Sequence, residues 1–214
     1  MNIENNILRH YLKNVYFISG TACGGKTTMS RLLAEKYGFT LYDMDAVYAE
    51  HRAMADPVHQ PETCYHMTDH HQQWTRPVEE QARWCAESIR EQTDMVLLDL
   101  VRLSADRIVV ADVLFAPQYT REIIADDHMI LLTADRSLIR ESYFNRPEKR
   151  SFYEFVKAQP LADLYFENIL QSLELTNDRG QELMRKTGFK MVERTENSTV
   201  QETLRIIEQH FNLL

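Results

Sequence analysis

Eight consecutive residues constrain this chain most: Gly20-Thr21-Ala22-Cys23-Gly24-Gly25-Lys26-Thr27 meets the phosphate-loop pattern G-x-x-x-x-G-K-[ST] at every fixed position. The run before it, Val15-Tyr16-Phe17-Ile18-Ser19, is apolar, β-branched and aromatic, and reads as a buried strand. After it, Met29, Leu32, Leu33 and Tyr37 recur at helical spacing, and Gly38 stands where a helix ends in a left-handed residue. A glycine loop between strand and helix presents backbone N–H groups to polyphosphate at the positive end of the helix dipole. The pattern therefore expects Gly20, Thr21, Ala22, Cys23, Gly24, Gly25, Lys26, Thr27 and Thr28 to cradle a nucleoside triphosphate. Lys26 would reach its β/γ-phosphates and the Thr27 hydroxyl would ligate Mg²⁺.

The length of 214 residues suits a single α/β domain over 1–214 with a small insertion. A formal net charge of −8 argues against a broad nucleic-acid-binding face, which needs clustered Lys and Arg. No apolar run approaches the about 18 residues of a membrane span, and the N-terminal residues lack the basic and apolar regions of a signal peptide. The three cysteines, Cys23, Cys64 and Cys85, have no metal-ligand spacing, which points to a reduced, cytoplasmic protein. Cys23 lies inside the loop, either as an oxidisable thiol or as a small residue that fits. The expected partner is a small-molecule acceptor, with no nucleic acid and no membrane.

Further strands are expected at 39–42, 107–112, 129–133 and 189–194. Helices are expected at 46–52, 78–100, 136–144, 160–174 and 176–187, the last of these closed by Gly188. A C-terminal helix follows, capped by Ser198 or Thr199. Alternating strands and helices imply a three-layer α/β/α fold around a five-stranded, mostly parallel sheet. Residues 53–77 carry Pro57, Pro61 and Pro77 and read as irregular; 46–77 is the candidate acceptor-binding insertion. Residues 136–158 form a lid-like segment. Ligands of such sheets bind beyond the carboxyl ends of the strands, which would gather the motifs into one site.

Four constellations carry chemistry. Asp43-x-Asp45 ends the second strand; period-two alternation would point both carboxylates into the crevice, although Asp is also common in strand-end turns. Such a pair can orient an acceptor hydroxyl, take its proton and anchor Mg²⁺. Two apolar runs end in aspartate, at Asp99 and Asp112. The Asp99 run continues the long helix, whereas the Asp112 run is β-branched and followed by a loop with Pro117, so Asp112 is the preferred Mg²⁺ carboxylate. Arg136, Arg140, Arg146, Lys149 and Arg150 cluster in this acidic chain, either as a solvated basic face or as a lid with Arg140 and Arg146 facing phosphate. Finally, His51, His59, His66, His70 and His71 are dense. His66 and His70 have the i, i+4 spacing of a helical zinc site, yet only Asp69 offers itself as a further ligand. Trp74 and Tyr65 are rings on which an acceptor could stack.

The order GTACGGKT, YDMD, IVVAD and LLTADRSLIRESYFNRPEKR resembles the P-loop small-molecule kinases. Within them it is similar to the shikimate-kinase, chloramphenicol-phosphotransferase and adenylate-kinase-like branches. The resemblance implies an ATP-dependent phosphotransferase in which Asp43 serves the metal, Asp45 the acceptor hydroxyl, and Arg140 and Arg146 the lid. It also implies adenine near 195–197. The chain departs from these branches in two places. Ala111-Asp112-Val113-Leu114-Phe115 replaces the glycine-rich segment that holds shikimate, and no Asp-Gly-Phe-Pro-Arg segment follows. The Asn-Lys-x-Asp guanine signature is missing, which favours ATP over GTP. The alternatives are an ATP-binding regulatory module without transfer and, more weakly supported, an ATPase coupled to a partner.

Overall fold

A computed structural model describes residues 3–65, 70–115 and 120–214. Five strands, β1 (Val15–Gly20), β2 (Thr40–Asp43), β3 (Val109–Asp112), β4 (Met129–Ala134) and β5 (Lys190–Arg194), form one sheet in the order β2-β3-β1-β4-β5. Every neighbouring pair is parallel. The fold is thus α/β in three layers, and the sheet is wholly rather than mostly parallel.

Period-two alternation explains why both faces are covered. Phe17, Val109, Ala111, Met129 and Leu131 point into one core, against Val96 and Leu100 of α6 (Val78–Leu103) and Met184 of α9 (Ala162–Thr187). Their neighbours Ile18, Val110, Ile130 and Leu132 enter the other core. There they meet Met29 and Leu33 of α2 (Lys26–Tyr37), Ile207 of α10 (Val200–His210) and Phe211 just beyond it. A short α1 (Asn5–Tyr11) precedes β1. Gly38 ends α2 at φ 70°, and Thr199 opens α10 through a reciprocal capping box with Glu202.

Three segments differ from the sequence expectation. The residues expected as two helices form one 26-residue α9. Its mid-helix polar residues find partners without breaking it: Thr176 Oγ1 donates to the Ser172 carbonyl at 2.7 Å, and Asn177 reaches the glycine loop. Second, β2 stops at Asp43 and α3 (Met44–Met54) begins at once, so Asp45 lies in the first helical turn. Third, the segment expected to be irregular carries α4 (Pro61–Cys64) and α5 (His70–Thr75), packed against α6 and α9 respectively. The lid-like segment holds α7 (Arg136–Ser142), a 3-10 turn (Pro147–Lys149) and α8 (Arg150–Lys157).

Gly20 is where the sheet demands a missing side chain. At φ 139° a Cβ there would overlap the carbonyl of Leu132 in β4, whereas one on Gly25, at φ 92°, would meet nothing within 4 Å. Gly20→Ala therefore combines overlap with backbone strain and is expected to cost about 3 kcal/mol or more. Gly25→Ala bears strain alone, about 1–2 kcal/mol. Urea denaturation of both variants checks the order.

Candidate functional site

The glycine loop runs from the end of β1 into the first turn of α2, and its conformation follows from its sequence. Cys23 and Gly25 both take left-handed backbone, at φ 62° and 92°. Alternation of this kind turns successive N–H groups toward one concavity. Gly24 is closed off behind, where a Cβ would overlap the Leu132 carbonyl. Gly25 caps α2 and has no side chain to bond the first-turn amides.

Contacts missing from the sequence reading hold the loop. Asn177 of α9 grips Ala22 from both sides, its Oδ1 accepting from the Ala22 N–H and its Nδ2 donating to the Ala22 carbonyl, each at 3.2 Å. The Thr21 N–H donates to the Leu132 carbonyl at 2.9 Å, and the Thr21 hydroxyl accepts from the Ala134 N–H at 3.2 Å. At the end of β5, Arg194 Nη1 donates to the Cys23 carbonyl at 3.0 Å. Neither Asn177 nor Arg194 belongs to a motif. The only sequence signal was an Asn in mid-helix, a poor place for that residue unless its amide has a partner.

The parallel register gathers the carboxylates. Asp112 ends β3 opposite Ile18 of β1 on one side and Asp43 of β2 on the other. It is 7 % exposed, and the Thr27 side chain lies near enough to act on its pKa. Burial raises the Asp112 pKa, Lys26 and Thr27 oppose that, and the Asp43 and Asp45 carboxylates push it further up. Burial lowers the Lys26 pKa against the pull of Asp112 and Asp45, while its Nζ donates to the Thr21 carbonyl at 2.8 Å. Lys26, Thr27, Asp43, Asp45 and Asp112 therefore share one electrostatic neighbourhood.

The carboxylate pair does not lie on one strand face as alternation suggested. Asp43 caps α3, its Oδ1 accepting from the Asp45 N–H at 3.0 Å, and Asp45 is exposed in that helix's first turn. Asp99 stands on α6, far along the chain from any strand end, and accepts from the Tyr42 hydroxyl at 3.1 Å while lying 2.8 Å from His51 Nε2.

The lid arginines separate. Arg146 sits over the Tyr143 ring at 5.0 Å, and its charge acts on both Cys23 and Lys26. Arg140 is engaged with carboxylates of α9. It binds Glu167 through two 2.9 Å bonds and Glu174 through Nε at 2.5 Å, and Arg136 also takes Glu174. The physical reason is Glu174, a 3 % exposed carboxylate that needs a cation beside it. Cys23 is buried and its thiol pKa is raised by that burial, against Arg146, Arg194 and Lys26. It fits the reading of a small residue better than that of a reactive thiol.

The histidines disperse. His51 is buried on Asp99, His59 pairs with Asp56 at the surface, His70 stacks on Trp74 at 5.0 Å, and His71 Nδ1 meets the Tyr165 hydroxyl at 2.8 Å. His66, Asp69 and Pro117 lie outside the described residues. Among the described residues no group of three or more His, Cys, Asp and Glu side chains is placed to hold a metal by itself, and no helix is long and apolar enough to cross a membrane.

No family model matches the chain, and no curated protein matches it in sequence.

Two measurements probe these contacts. Asn177→Ala removes two hydrogen bonds of about 1 kcal/mol each, and hydrogen exchange should show the Ala22 amide opening more readily while β4 amides stay protected. Glu167 is held down to about 2 by Arg140 and Gln171. A depressed carboxylate stabilises the fold above its unfolded pKa and loses that contribution as pH falls toward its folded one. Urea titrations should therefore show the α7–α9 contact weakening from about pH 4.5 toward pH 2, and Glu167→Gln should flatten that dependence.

Proposed function

We propose that this protein is an ATP-dependent phosphotransferase acting on a small-molecule acceptor, a member of the P-loop kinase superfamily. The observation that carries it is the glycine loop that runs from β1 into α2 with two left-handed residues, its Lys26 and Thr27 sharing one electrostatic neighbourhood with the buried Asp112. A chance glycine turn needs neither that lysine nor that carboxylate. The sheet order β2-β3-β1-β4-β5, with the loop following the central strand, supports the same reading.

The residues fit the groups this function requires. Gly25 leaves open space above the loop, and the first-turn amides of α2 lack a side-chain cap, which suits phosphate oxygens. Thr27, Asp112 and Asp43 supply oxygen donors only. Magnesium takes few protein ligands, keeps the rest as water and phosphate oxygen, and there neutralises charge on the transferring group. Lys26 and the loop amides would bind the β/γ-phosphates, and Arg146 and Arg194 would add positive charge beside Cys23. Asp45, exposed at the start of α3, would orient the acceptor hydroxyl and accept its proton. Arg140 would hold α7 to α9 through Glu167 and Glu174 rather than contact phosphate.

That commitment of Arg140 is the observation favouring the second reading, an ATP-binding module that transfers nothing. ADP release from Mg·ATP across a panel of alcohols separates the two. Acceptor-stimulated release should fall about a hundredfold or more in Lys26→Ala and in Asp45→Asn. Release that survives both substitutions sinks the phosphotransferase; ATP binding by calorimetry with no release from any acceptor selects the module.

A further inference from the structure

A cavity of about 500 Å³ opens beside Gly20, Thr21 and Ala22, between α5, α6, α8 and α9. Leu114 and Phe115, immediately beyond Asp112 and Val113, close another side of it, so it adjoins the carboxylate cluster through one short stretch of chain. Its wall is mostly hydrocarbon, from Trp74, Phe115, Phe152, Ile169, Leu173 and Met184. Among the polar residues that interrupt that wall, Arg76 is set apart. The Arg76 guanidinium lies over the Tyr65 ring at 5.0 Å and the Trp84 ring at 5.9 Å. It joins no ion pair among the described residues, whereas Arg90 and Arg179 on the same rim pair with Glu87 and Glu79. Ring faces hold a guanidinium flat and leave its in-plane N–H edge able to grip an oxyanion with two parallel bonds.

We infer that this cavity takes the phosphoryl acceptor, and that the acceptor is an alcohol with a largely apolar body and a single oxyanion group, held by Arg76. The inference rests on the phosphotransferase reading. A mostly apolar wall is a poor match for a sugar, whose many hydroxyls need partners, and one guanidinium left outside the rim's ion pairs suits one anionic group rather than several. In the transfer, the acceptor oxygen bonds to the terminal phosphorus of ATP. The bond from that phosphorus to its bridging oxygen breaks, and the electron pair leaves on ADP. The hydroxyl proton passes to Asp45. The segment 46–77 then contributes Gln73, Trp74 and Arg76 to acceptor choice, while α6 and α9 supply most of the wall.

Two dyes that differ by one sulfonate test the cavity without any transfer: 1-anilinonaphthalene-8-sulfonate and N-phenyl-1-naphthylamine. The sulfonate is expected to bind at one site about tenfold more tightly than the neutral dye, an advantage that Arg76→Gln removes while leaving the neutral dye unchanged. Leu173→Trp, which fills the cavity, should abolish binding of both in a protein whose thermal unfolding remains cooperative. Equal binding of the two dyes, or sulfonate binding indifferent to Arg76→Gln and Leu173→Trp, overturns the inference. Matched aromatic alcohols, 4-(hydroxymethyl)benzoate and its amide, then test transfer. Greater ADP release with the acid, lost in Arg76→Gln, supports the acceptor assignment. Release that is equal for the two, or undetectable with both although Lys26→Ala abolishes ATP binding, overturns it. If Lys26→Ala instead binds ATP as the wild type does, the phosphotransferase reading itself fails, and Arg76-dependent dye binding stands as the separate record of the cavity.

Discussion

The glycine loop lies so close to the carbonyl of Leu132 that neither Gly20 nor Gly24 can carry a side chain. That approach fixes how β1 hands the chain to α2 and therefore where the amino end of α2 points. Parallel pairing does the rest. With β1 central, β3 and β4 flank it in register, so Asp112 and the loop must emerge at the same edge of the sheet. The cluster at that edge is a consequence of strand order, not of any attraction among its members, which include three carboxylates that repel one another.

The same edge shows how an acidic chain makes a local positive field. Arg146, Arg194 and Lys26 converge on Cys23 from three distant parts of the sequence, although the formal net charge is −8. Two other arginines, Arg136 and Arg140, are spent on the buried Glu174 instead. Low dielectric around a buried carboxylate makes its demand for a cation stronger than any advantage of an exposed arginine at a site edge. Proximity in sequence was therefore a poor guide to which arginines serve the loop.

Regular elements were legible because their signals are local. The loop pattern, the β-branched run into Asp112 and the Thr199–Glu202 cap each lie within a few residues. The break expected between 174 and 176 is absent, and the polar side chains on either side of it find partners within the folded protein, Thr176 on Ser172 and Asn177 on Ala22, 155 residues away. Alternation likewise placed Asp43 and Asp45 on one strand face, but Asp43 served as a helix cap and ended the strand there. The Arg76–Tyr65–Trp84 stack and the apolar cavity were illegible for the same reason, being assembled from α5, α6, α8 and α9. The alternation of strands and helices implied the three-layer fold, and the parallel sheet agrees with it.

One rod touches everything. Along α9, Glu167 and Glu174 hold α7, Ile169 and Leu173 wall the cavity, and Asn177 grips Ala22. From Glu167 to Asn177 is ten residues, or about 15 Å at the helical rise. A continuous helix transmits axial displacement with little loss, since shortening it would break its own hydrogen bonds. The seating of α7, one wall of the cavity and the hold on the Ala22 peptide consequently all depend on where this one helix lies.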